Sequence, residues 1–501
     1  MSTPTVPERI TYGNLRAPRR PGVLGMGMAA TGLVGASAIV VVVMLMSVGF
    51  AAAGIALIVC AVALVPLIVR GRDGRNGYER LVARGVYNRA DRTGRTVYLA
   101  GPTGQTPDGR TRLPGLLAAT DLVETVDVYG EAFGVVITPA THHFTVVMQA
   151  EASGDDLVNQ SVTDSEVAHW GGWLAGLGQE PDLVAASVTI ETAPDPGTRL
   201  VRMIKRHQQE DAPDFSAATL AEISTKYPVA ASAITTRIAM TFTTKARATE
   251  AHRSQGDMVE YLGRRMPGFR QGLKSTGAGT TVRMMTAADL TDAVRVAYDP
   301  SVAQLVEEQR AEGGTGLTWS EAGPAFAREL PESYAHDGAF SMVWQMREPP
   351  RGVFFDHTLK QVLSPSPDIA RKRVSIIYRP ESSQNAQRIV EKDVRDARTQ
   401  ATARARPQAH DVSMLRAATK AAEEEAEGAG LVRFGIIVTA TVTEESALPR
   451  AASTIAMLTD PVRLRLRVAR HSQAASFAAG LPLGLVLPAH QALPDWLRDT
   501  L

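Results

Sequence analysis

Three arginines spaced two residues apart, Arg463, Arg465 and Arg467, are the residues whose pattern points most directly to an interaction. They alternate with Val462, Leu464, Leu466 and Val468. A strand over residues 462–470 therefore turns the arginines to one face and the aliphatic side chains to the other. Like charges on one strand face repel unless acids or a partner answer them. The sequence holds an internal answer, the acidic helix end Glu423–Glu427. An external answer is a protein partner, with anionic lipid and DNA phosphate as lesser alternatives. Arg463, Arg465 and Arg467 are the candidate partner-binding residues. The ladder lacks interleaved aromatics, so direct nucleic-acid binding is not expected.

The sequence carries no recognisable catalytic or metal-binding pattern. A phosphate cradle of the form G-x-x-x-x-G-K-[ST] is missing. Gly268 and Gly272-Leu273-Lys274-Ser275 come nearest, with the wrong spacing. No apolar strand ends in Asp-Glu to hold magnesium. His142 and His143 are adjacent on a predicted strand and point to opposite faces. Asp356-His357 has no G-x-S-x-G nucleophile elbow to serve. Trp170 and Trp173 read as core and edge packing. Catalytic, cofactor-binding and metal-ligating residues are therefore assigned to none. The net charge is +1, and Cys60 is the single cysteine, so no disulfide forms within the chain.

The elements that position the ladder follow a long apolar start. Pro21 to Val69 carries no charged side chain. A bilayer core about 30 Å thick takes about 20 helical residues, so the run reads as two transmembrane spans, 23–46 and 50–69. Ser47-Val48-Gly49 is the turn. Arg9, Arg16, Arg19 and Arg20 precede the hairpin, and Arg70, Arg72, Arg75, Arg80 and Arg84 follow it. With both flanks basic, the expectation is a two-span plasma-membrane protein with both termini cytoplasmic.

The expected fold class is α+β: an N-terminal transmembrane hairpin, then cytoplasmic sandwiches with antiparallel sheets. Residues 1–20 are a basic arm, 21–70 the hairpin and 71–96 a basic juxtamembrane connector. Residues 97–307 form a first α+β region, 308–332 a linker or surface loop, and 333–501 a second α+β region with a helical pair. In the first region, 133–138 and 143–149 make a hairpin around Pro139. Thr163-Asp164-Ser165-Glu166 is a capping box. Strands follow at 183–192, 234–243 and 280–285, and helices at 215–226, 257–274 and 287–297. In the second, 340–346, 373–378 and 431–442 are strands, and 385–404 and 412–427 are paired helices separated by Pro407. Helices on one sheet face would give a ferredoxin-like arrangement. No period of 20–50 residues is visible.

The layout resembles an actinobacterial conjugation and type IV secretion family. The matching pieces are Ile10-Thr11-Tyr12-Gly13-Asn14, the hairpin, Gly74-Arg75-Asn76-Gly77-Tyr78-Glu79-Arg80, Leu113-Pro114-Gly115-Leu116 and Glu191-Thr192-Ala193-Pro194-Asp195-Pro196-Gly197-Thr198-Arg199. The hairpin is similar to the small inner-membrane subunit of such machines. The rest is similar to the amino-terminal half of the large assembly ATPase. There a Phe-x-x-x-Leu-Pro-Gly turn precedes the motor domain. Here Phe477-Ala478-Ala479-Gly480-Leu481-Pro482-Leu483-Gly484 takes its place, with Leu483 inserted and no motor domain.

The resemblance implies a non-catalytic inner-membrane scaffold with no cofactor. Its partners would be the lipid bilayer, a separate type IV secretion ATPase, other inner-membrane secretion subunits and sister copies of itself. The alternatives are a membrane subunit of another export machine, such as type VII secretion, and a membrane-tethered enzyme without a recognisable motif.

Overall fold

The computed structural model describes residues 27–68, 74–101, 111–151, 158–194, 212–226, 232–244, 253–279, 281–350, 354–402 and 408–491, with isolated positions between some of them. Residues 10–14, residues 195–199 and Pro407 lie outside the described residues.

The apolar run forms two helices, α1 (Gly27–Ser47) and α2 (Phe50–Ile68). The reversal is tight. The N–H groups of Val48 and Gly49 both donate to the Met44 carbonyl, and Gly49 takes φ 108, open to a residue without Cβ. The expected membrane spans are not supported. Among the described residues, no helix is long and apolar enough to cross a membrane. The two-span plasma-membrane placement falls with the spans. What the hairpin does present is an apolar exterior, with Ile39, Val43, Ile55 and Val62 exposed.

α3 (Gly77–Arg92) begins at a capping box in which Asn76 and Glu79 satisfy each other's backbone N–H groups. The first α+β series follows: β1 (Val97–Leu99), β2 (Asp121–Val126), β3 (Ala132–Thr138), β4 (His143–Ala150), α4 (Gln160–Leu177), β5 (Leu183–Pro194), α5 (Asp214–Lys226), β6 (Ser232–Thr243), α6 (Gln255–Leu273), β7 (Val282–Met284) and α7 (Ala287–Tyr298). α4 starts a turn before the expected Thr163 box, at Asn159. After α8 (Ala303–Glu312) come β8 (Phe326–Glu329), β9 (Tyr334–His336), β10 (Ala339–Glu348), α9 (Lys360–Leu363), β11 (Arg371–Pro380), α10 (Ser383–Thr402), α11 (Ala409–Ala426), β12 (Val432–Val442), α12 (Leu448–Thr459), β13 (Arg465–Val468) and α13 (Gln473–Ala479).

Among the described residues, thirteen strands join one antiparallel sheet in the order β1-β8-β9-β10-β12-β11-β5-β6-β4-β3-β2, with β13 also on β10 and β7 also on β4. Outward from the β5–β11 pair the two directions have one topology. One reads β5-β6-β4-β3-β2 with β7 on β4; the other reads β11-β12-β10-β9-β8 with β13 on β10. The body is thus a tandem structural repeat whose two copies meet edge to edge. Registers make the equivalence residue by residue. Thr145, Thr241 and Ala185 stand side by side in the first repeat, and Ser341, Thr441 and Arg371 in the second. Thr189 and Ser375 are then equivalent, and they pair with each other. A local two-fold passes between them, where their hydroxyls hydrogen-bond at 3.1 Å.

Helices cover both faces of the sheet, not one. β3 and β4 are buried almost throughout, as strands covered on both sides must be. On one face α4 and α6 pack the first repeat around Phe133, Met148, Met240 and Leu262. On the same face α9 and α12 pack the second around Val438, Val362 and Ile455. On the other face α7, α13 and residues 481–485 share one core, with Val136, Leu290, Val343 and Phe477. That last segment is a strap across the junction. Ser375 Oγ donates to the Gly480 carbonyl (2.7 Å) in the second repeat, and Thr241 Oγ1 to the Gly484 carbonyl (3.1 Å) in the first. Gly484 has φ +67, and a Cβ there would lie 2.1 Å from Thr241 Oγ1, so the close crossing requires glycine.

Candidate functional site

The arginine ladder is shorter than its sequence pattern. β13 begins at Arg465, opposite Glu348 after a bulge in β10, and places Arg467 opposite Gln345. Arg463 precedes the strand at φ 54, its N–H held by the Asp460 carbonyl at 3.0 Å. A left-handed residue breaks the period-two alternation, so the three arginines do not share one strand face. Arg465 Nη1 lies 3.7 Å from Glu348 Oε2, and Arg347 Nη2 reaches Glu348 Oε1 at 3.4 Å. Arg467 Nη2 donates to Gln345 Oε1 at 3.5 Å. The acid beside the ladder is therefore Glu348. The expected answer, Glu423–Glu427, ends α11, where Glu424 pairs with Lys420 at 3.6 Å.

Arg463 and Arg465 do converge on a groove of about 660 Å³ between α12 and β13. Trp344, Ile455 and Leu466 give its apolar lining, and Glu348 and Asp460 its acids; Arg467 is not part of it. Arg465 leaves 61% of its side chain exposed, so its ion pair is a rim contact of about 0–1 kcal/mol. The groove can seat a segment that brings an acid to Arg463 and Arg465 and an apolar side chain to Trp344. Among the described residues no group of histidine, cysteine and acid side chains could hold a metal ion. His142 is at φ 58 in the turn before β4, and the exposed His357 pairs with Asp356 at 3.0 Å.

A second charged cluster was missed by sequence reasoning. Glu191 of β5 is buried among Arg371, Arg373 and Arg237, which come from β11 and β6. Arg371 Nη1 donates to Oε1 at 2.5 Å and Arg373 Nε to Oε2 at 2.9 Å, while Arg237 Nη1 lies 3.6 Å from Oε1. Burial alone would raise the Glu191 carboxyl. The three guanidinium groups outweigh it, Arg371 foremost, and hold the carboxyl far below its usual range. Arg373 is 1% exposed, and its guanidinium carbon stands 5.4 Å from the centre of the Phe477 ring, just before the strap. This is a sealed junction between repeats and not a surface site. The sequence signal was present, since Arg371 and Arg373 alternate as the ladder does. What the sequence withholds is that β5 is their neighbour.

A buried histidine completes this face. His336 takes the carbonyl of Tyr298 on Nδ1 and the Ser341 hydroxyl on Nε2 (2.8 Å), and Ser341 also bonds Thr441 at 2.7 Å. Burial pushes its pKa down to about 4, so the ring is neutral. The network satisfies buried polar groups and offers no path to solvent for acid–base work.

Comparison with known proteins adds one finding. A family described as a domain of unknown function (DUF8461) matches residues 19–79, which take in the helical hairpin and the start of α3. No curated protein matches the chain.

Proposed function

We propose that the chain is a non-catalytic scaffold of a type IV secretion or conjugative transfer machine, and that it docks a separate ATPase. The observation that carries the reading is the groove between α12 and β13. Arg463 and Arg465, from different backbone settings, line it together with Arg347 beside an apolar floor, at a strand that pairs only with β10 among the described residues. An acidic segment of the ATPase is the occupant that fits this chemistry. The rim pairs steer and orient such a partner, and the apolar floor with Trp344 supplies the contact area. The resemblance of Phe477–Gly484 to the turn that precedes an assembly motor supports the same class of machine. That segment here is buried packing for the strap.

The test is capture of the tagged full-length chain, with bound proteins identified. Recovery of a conjugation-type ATPase, reduced about tenfold or more by Arg465→Glu, is the expected result. Recovery of the chain alone, under conditions that keep other assemblies intact, would overturn the reading.

A further inference from the structure

α3 is amphipathic in the wrong sense for a helix on a soluble body. Its apolar side chains Leu81, Val82 and Val86 are 63%, 64% and 65% exposed, and Tyr78 is 40% exposed. Their spacing puts them on one face. The opposite face meets the body. Tyr87 is buried there, its hydroxyl donating to the Glu329 carbonyl at 3.2 Å and its ring 4.9 Å from that of His471. The start of the helix is fastened to the apolar hairpin, since Tyr78 Oη donates to the Ala63 carbonyl of α2 at 2.8 Å. Further along the outward face, at helical spacing from Val82, stand the exposed Arg89 and Arg92.

We propose that this outward face of α3 rests on an anionic phospholipid surface. An apolar stripe with a tyrosine at one end and arginines at the other is what an interfacial helix needs. The aliphatic side chains enter the acyl boundary while the guanidinium groups meet lipid phosphates. Lying on a surface requires no helix long enough to cross it. No α3 side chain lines the groove, so this contact is tested separately from ATPase docking.

The test uses the full-length chain with Cys60→Ser and a single labelling site at Val82→Cys, Val86→Cys or, on the other side of the helix, Arg84→Cys. Each carries an environment-sensitive fluorophore and is transferred to vesicles of phosphatidylcholine with or without phosphatidylglycerol. The expected result is a blue shift with a several-fold intensity gain at positions 82 and 86 on the anionic vesicles, with position 84 unchanged. Equal responses at all three positions, or none, would overturn the proposal. So would labels at 82 and 86 that are blue-shifted before vesicles are added and return to the red on dilution, because a second copy would then cover the stripe.

Discussion

The two repeats share every strand position from β2–β7 to β8–β13, yet they spend their polar residues differently. In the first, Ala185 and Ser187 stand where the second has Arg371 and Arg373; in the second, Ile377 stands where the first has Glu191. Between β11 and β12 the second carries the paired α10 and α11. His336 occupies the place that Thr138 holds in the first repeat. The difference teaches what the symmetry is for. A two-fold pairing of identical edges would also pair one chain with another. Splitting the charges, with Glu191 on one edge and two arginines on the other, makes each edge complementary to its partner and repulsive to its own kind.

The comparison breaks most sharply at Glu191. Glu191→Ala leaves three buried guanidinium groups without their acid and should cost about 3–5 kcal/mol in urea unfolding. Substituting the equivalent Ile377 by Val should cost about 1 kcal/mol. Equal losses would mean that the charges do not lock the repeats. Because the folded carboxyl is depressed, its contribution is complete above the unfolded value of about 4.3 and is lost as pH falls below it.

The second effect separates the repeats by pH. His336 titrates near 6.5 when unfolded and at about 4 when folded. The unfolded chain therefore binds the proton first, and stability falls by about 3 kcal/mol between pH 6.5 and pH 4. His336→Gln should flatten that slope, whereas Thr138→Ser in the first repeat should leave it unchanged. A slope that survives His336→Gln assigns the acid sensitivity elsewhere.

Smaller effects sharpen the account. Gly484→Ala should cost about 1–3 kcal/mol, because the new Cβ would meet Thr241 and Thr145 and the backbone is left-handed. Gly480→Ala, at the other end of the strap, meets Thr439 only at 3.1 Å and should cost less in the same urea unfolding. The equivalent hydroxyl pairs give the smallest difference. Thr145→Val removes one hydrogen bond, about 1 kcal/mol, while Ser341→Ala also strips His336 of a partner and should cost more.

Much of the body was legible in the sequence because its cues are local. The hairpin around Pro139 and the alternation in β12 each fix an element without reference to its neighbours. The seam was not legible. Nothing around Arg371 announces that β5, some 180 residues earlier, is its neighbour, and the divergence of Ala185 and Ser187 from Arg371 and Arg373 hides the repeat. The ladder failed for a smaller reason: one left-handed residue, Arg463, turns an alternating sequence into a turn followed by a four-residue strand. In the hairpin, composition predicted the helices and their turn, while the spans inferred from it are not supported.

The docking claim is tested most directly by backbone hydrogen exchange of the full-length chain, free and with the captured ATPase bound. The account predicts slowed exchange in β13 and α12, around Arg463 and Arg465, with the β5–β11 seam unchanged. Protection confined to α10 and α11 or to the hairpin, with the groove exchanging as in the free chain, would contradict it.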